Sequence, residues 1–147
     1  MADALTKWAQ EWDTDWIVVD THPPGASPAA HGALAVANIV LAPTALRTAE
    51  LDATAELVNE IADYPLVIVP NFVPTTPPAA EIQRLRTIID GTPVQVAPPP
   101  IPTALHVGTR KKAHRHYRRS TTRQVATKKV ATALNDLSTF VKEYVHG

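Results

Sequence analysis

Two groups of residues in this chain carry a potential for chemistry. Asp20 closes the run Trp16-Ile17-Val18-Val19 and is followed by Thr21-His22-Pro23-Pro24-Gly25. Three consecutive aliphatic residues behind a tryptophan predict a strand buried on both faces, as in a parallel sheet, and the Pro-Gly sequence ends it. A carboxylate at the carboxyl end of such a strand lies on the edge where open α/β sheets bind ligands. In nucleotide hydrolases it holds the magnesium shell beside the phosphates. The plainer role for Asp20 is to cap a turn. The second group is Arg110, Lys111, Lys112, Arg115, Arg118, Arg119, Arg123, Lys128 and Lys129, nine cations within twenty residues and no acid, with His114, His116 and Tyr117 interleaved. Neutralising several phosphates at once releases counterions and gives salt-sensitive, sequence-independent affinity, so the run predicts nonspecific contact with nucleic acid. A solvated face, or an acidic protein or membrane partner, are the alternatives.

Charge is distributed to match. The 147 residues sum to a net charge of zero. Residues 1–109 nevertheless hold four cations against twelve acids, a net of −8, and residues 110–147 hold ten against two, a net of +8. Such asymmetry points the basic end toward a polyanion. Cysteine is absent, which excludes disulfides, thiol catalysis and cysteine-ligated metals. Met1-Ala2-Asp3-Ala4 lacks the basic start of a signal peptide, and no apolar run approaches the ~18 residues of a membrane span. A soluble chain of the cytoplasm is expected, with no membrane contact.

Other chemistries find little support. A phosphate-binding P-loop needs glycines and a lysine directly before a helix, and before Asp20 there is no glycine and only Lys7. His106, His114 and His116 stand near or among guanidinium groups that repel a dication. No serine or histidine arrangement suggests a catalytic triad. A phospho-receiver site would need an acid pair and a later lysine, neither of which occurs.

The elements that must position these groups follow from pattern. Leu5, Trp8, Ala9 and Trp12 recur at helical spacing over residues 2–12. Ser27-Pro28 predicts the start of a small-residue helix over about 28–37, and Asn38 to Ala42 a second strand closed by Pro43. Thr48 is placed to cap a helix with Leu51, Ala55, Val58 and Ile61 or Ala62 facing inward. Leu66 to Val69 predicts a third strand, ending in Pro70-Asn71-Phe72-Val73. Pro77-Pro78 opens a helix with Ile82, Leu85 and Ile88 or Ile89 inward, closed by Gly91. Val94 to Ala97 predicts a fourth strand before Pro98-Pro99-Pro100-Ile101-Pro102. Thr121 with Gln124 forms a capping-box pattern for a last helix with Val130, Leu134, Leu137, Val141 and Tyr144 or Val145 on one stripe. Strands alternating with helices predict a doubly wound, mostly parallel sheet of about four strands, with all strand ends at one edge.

In this order and spacing the chain resembles the ParA/MinD family of deviant Walker A partition ATPases over roughly residues 13–105. The run ending in Asp20 looks like the family's Walker B strand, and Pro23-Pro24 like the turn after it, although His22 is an extra residue there. Ala29 to Pro43 is similar to the small-residue helix and proline-ended strand that follow. Asn71 stands where the family has an asparagine that touches adenine, and Ile101-Pro102 where it has an Ile-Pro pair lining the base pocket. The resemblance implies a partial P-loop NTPase-like fold, with residues 1–105 as the α/β domain and 106–147 as a basic helical C-terminal segment packing on it. It implies that Asp20 helps hold Mg2+ through water, that Pro23, Pro24, Asn71, Ile101 and Pro102 belong to an ATP site, and that the basic residues bind DNA. It further implies a homodimer and a ParB-like partner protein. The family's P-loop has no counterpart in this sequence, so the chain matches the C-terminal portion of such an ATPase or a shortened relative, and hydrolysis by the chain alone is not expected. The alternative is a nucleotide-independent DNA-binding or adaptor module on a degenerate scaffold of the same kind.

Overall fold

A computed structural model describes residues 1–21, 28–104 and 121–147, with side chains in the last helix from residue 127 onward. The elements are α1 (Ala2–Glu11), α2 (Pro28–Leu34), β1 (Val40–Ala45), α3 (Thr48–Ile61), β2 (Leu66–Asn71), α4 (Ala79–Ile89), β3 (Gln95–Val96) and α5 (Thr121–His146). The three strands form one parallel sheet in the order β1-β2-β3, with Val40 opposite Leu66 and Ile68 opposite Val96. Among the described residues no helix is long and apolar enough to cross a membrane.

β2 is the centre because its sequence has no polar side to offer. Leu66, Val67, Ile68 and Val69 are each at most 2% exposed, as a continuous aliphatic run in a two-sided sheet requires. Alternate side chains then serve opposite faces. Leu66 and Ile68 pack with Leu51, Val58 and Ile61 of α3 and Leu85 of α4. Val67 and Val69 pack with Ala97 and with Leu137, Phe140 and Tyr144 of α5. Helices therefore cover both faces, and the basic C-terminal helix is anchored across the sheet from α3 and α4. Its inward stripe runs through Val130, Ala133, Leu137, Phe140 and Tyr144, whereas Leu134, expected inside, is 48% exposed.

The sheet has three strands rather than about four, and the missing one is the run before Asp20. Trp16 to Asp20 joins no ladder among the described residues, and Val18 is 90% exposed. An aliphatic run becomes a strand only where a neighbouring edge supplies both donors and acceptors. The Val40 N–H donates to the Pro65 carbonyl at 2.8 Å, so Val40, Ala42 and Thr44 turn their backbone groups toward β2. Leu41, Pro43 and Ala45 therefore face the outer edge. Pro43 has no N–H, which removes a donor from the middle of that edge and makes it a poor template for a further strand. The same geometry explains why β1 runs through Pro43 to Ala45 instead of stopping before it: the proline faces away from β2.

Smaller departures have local causes. In α1 only Leu5 is buried, because the helix meets the body mainly through α2, where a Cβ on Gly32 would come within 2.9 Å of the Met1 Cβ. Trp8 and Trp12 are left exposed. Thr48 is the first residue of α3 and not its cap; Arg47 holds that position without a side-chain bond. β3 has two residues where four were expected, although Val94 and Ala97 on either side are buried. Gly91 takes φ +72° just after α4, the left-handed turn that glycine adopts without a Cβ clash. The capping pattern at Thr121 and Gln124 lies outside the described side chains.

Candidate nucleic-acid interface

The carboxyl ends of β2 and β3 are tied together beyond the ladder. The Ile101 N–H donates to the Pro70 carbonyl at 2.8 Å, the Val73 N–H to the Ile101 carbonyl at 3.0 Å, and the Thr103 N–H to the Val73 carbonyl at 2.8 Å. Val73 and Pro102 form a parallel bridge. Proline fits this seam because each residue of a strand turns its backbone to one side only, so Pro70 still accepts a bond where it has no proton to donate. The result brings Asn71, Ile101 and Pro102 to one edge of the sheet, three of the residues singled out from sequence. Asn71 holds its side chain close to its own backbone: its Oδ1 accepts the N–H of the next residue, Phe72, at 2.8 Å.

Phe72 is the residue that sequence reasoning missed. Its φ is 52°, in the left-handed region that costs a non-glycine residue about 1–2 kcal/mol. The conformation is held from both sides, by Asn71 Oδ1 on its N–H and by Thr103 Oγ1 donating to its carbonyl at 2.6 Å. The side chain is turned outward and is 59% exposed at this edge of the sheet. An exposed ring so held is the kind of surface on which nucleobases stack. The available signal was an aromatic residue directly after a strand-ending Pro-Asn pair.

Beside this edge lies a cleft of about 540 Å³ between the proline loop and the first half of α5, lined by Pro99, Pro100, Pro102, Lys128, Lys129, Thr132, Ala133 and Asp136. Prolines hold one wall without offering N–H donors, so polar recognition falls to the helix. Lys128 and Lys129 are both exposed, and the turn that carries them is fastened by Val130 and Ala133, buried to 8% and 4% exposure. Two of the nine predicted cations thus stand over the same cleft as Pro102. Arg123 lies in α5 but outside the described side chains, and Arg110, Lys111, Lys112, Arg115, Arg118 and Arg119 lie outside the described residues. Pro23 and Pro24 do so as well.

Asp20 stands outside the ladders that build this edge. It is exposed, on a segment without ladder partners among the described residues, and no three or more acidic or histidine side chains there are grouped to hold a metal ion. A second cavity, about 400 Å³ between β1 and α3, is lined by Glu50, Glu56 and Glu60 and suits no phosphate. Comparison with family models, with curated proteins and with solved structures gave no match. The likeness to ParA/MinD proteins accordingly rests on the residues quoted for it above.

Proposed function

We propose that this chain is a DNA-binding protein of the ParA-like partition type that grips nucleic acid nonspecifically through its basic C-terminal segment. The observation that carries the reading is the cleft in which Lys128 and Lys129 stand over Pro99, Pro100 and Pro102. These lysines end the acid-free run that begins at Arg110, so phosphate contacts made along the run would continue to the carboxyl edge of the sheet. In this reading ATP would sit at Asn71, Ile101 and Pro102, and Asp20 would hold Mg2+. A homodimer and a ParB-like partner belong to the same proposal. No hydrolytic step is assigned to these residues, because the sequence holds no phosphate cradle and positioning with charge neutralisation supplies most phosphoryl-transfer catalysis.

A second reading is a nucleotide-independent DNA-binding or adaptor module. One observation favours it: Asp20 belongs to no strand of the sheet whose edge gathers Asn71 and Pro102. Fluorescence anisotropy on a labelled duplex, with and without ATP and magnesium, separates the two. Binding that strengthens with nucleotide and loses that response in Asp20→Ala supports the partition reading. Equal binding in both conditions supports the module, and no binding at low salt overturns both.

A further inference from the structure

We infer that the N-terminal tryptophan strip is a docking surface for the basic start of α5 in a second copy of this chain. All three tryptophans of the protein lie within residues 8–16, and none is buried: Trp8, Trp12 and Trp16 are 36%, 50% and 40% exposed. Trp8 and Trp12 stack with ring centroids 5.3 Å apart and planes 3° from parallel, which holds them as one apolar unit with an outer ring face on either side. The same stretch of chain holds Asp3, Glu11, Asp13 and Asp15, all exposed, against a single cation, Lys7, which pairs with Glu11 at 3.5 Å. Exposed aromatic rings in an acidic stretch attract cationic side chains twice over, through the ring faces and through the charges. It repels phosphates and anionic headgroups, so neither nucleic acid nor an acidic membrane is its occupant.

The chain itself holds the complementary surface. Its one concentration of unopposed cations ends at Lys128 and Lys129, exposed on the first half of α5. Within one copy these lysines stand far from the end of the strip. Trp16 packs edge-on against His146 at the far end of α5, with ring centroids 6.0 Å apart. At 1.5 Å per residue, a straight α5 sets Lys128 and Lys129 about 26 Å from His146 along its axis. A rigid helix thus keeps Trp16 and the basic end of a molecule apart, and the inferred contact that satisfies both is made between copies. The contact is head to tail, and it opposes nucleic-acid binding because both occupy the same cations.

Sedimentation equilibrium of the full chain without nucleic acid or nucleotide tests this, so that the homodimer of the proposed ATP-linked function does not enter. At low ionic strength, where the Debye length is ~30 Å at 0.01 M, the average mass is expected to rise with protein concentration, and to fall to the monomer value as salt is added. Trp8→Ala/Trp12→Ala, Asp13→Lys/Asp15→Lys and Lys128→Glu/Lys129→Glu are each expected to weaken self-association tenfold or more. A mixture of the last two variants is expected to associate more tightly than either alone, since one supplies an intact basic end and the other an intact acidic end. Folding of each variant is checked by circular dichroism, the replaced side chains being exposed. A mass that stays monomeric at low salt overturns the inference. So does a response to Glu56→Lys/Glu60→Lys on α3 as large as the response to the N-terminal reversal, or a mixture that fails to recover. None of these outcomes depends on whether the chain binds DNA.

Discussion

Replacing Lys128 and Lys129 by alanine isolates the cleft's part in the proposed nucleic-acid binding. Both side chains are exposed, and the packing of their turn comes from Val130 and Ala133, so the double variant keeps its fold. Alanine is also the best helix former, which leaves α5 at least as stable. If each lysine neutralises one phosphate, the slope of log K against log salt becomes shallower by about 1.8, at about 0.9 per contact. A fourfold increase in salt then costs the variant about twelvefold less affinity than it costs the parent. The assay is fluorescence anisotropy over a salt titration, repeated on several unrelated duplexes. The change in slope is expected to be the same on each, because phosphate contacts carry no sequence information. An unchanged slope, or a change confined to one sequence, would refute the assignment of these lysines to phosphate.

Further outcomes follow from other parts of the molecule. Phe72→Ala is expected to weaken binding of a single-stranded oligonucleotide by about 1–3 kcal/mol and to leave duplex binding nearly unchanged, since a paired base has no free face to stack; competition titrations with both ligands check this. Ile68→Ala empties a fully buried site at the centre of β2 and is expected to cost about 2–5 kcal/mol in urea unfolding. Thr54 Oγ1 donates to the Glu50 carbonyl at 2.7 Å, which leaves Thr44 Oγ1 to donate to Thr54 at 3.1 Å, and both residues are buried. Thr54→Val is therefore expected to cost about 1–3 kcal/mol, and Thr44→Val/Thr54→Val less than the sum of the two single variants, by the same unfolding assay.

The exposed ion pairs contribute little to this ledger of forces. Arg84 pairs with Asp52 between α4 and α3, but the side chains are 40% and 57% exposed. Pairs of that kind contribute about 0–1 kcal/mol, so the attachment of α4 to α3 rests on Leu85 and Ile82 in the shared core.

What the sequence by itself determined was the class of architecture and the polarity of the chain. Leu66 to Val69 was legible as a central strand, because four aliphatic residues in a row have no face to leave in water and turn residues bound the run. The alternation of helix and strand made the sheet parallel, and the contrast between an acidic body and a basic C-terminal segment was plain from composition. Asn71, Ile101 and Pro102 were legible as one edge, since parallel crossovers bring successive strand ends together. The tertiary structure decided what depends on partners distant in the chain. Trp16 to Val19 has the composition of a strand, yet the edge it would need is interrupted by Pro43, and strand pairing is a property of two segments. Phe72 owes its outward, left-handed setting to bonds from Asn71 on one side and Thr103 on the other, thirty-one residues further along the chain. Lys128 and Lys129 became neighbours of the proline loop only because Val67 and Val69 hold α5 across the sheet, a contact whose two halves no local pattern connects.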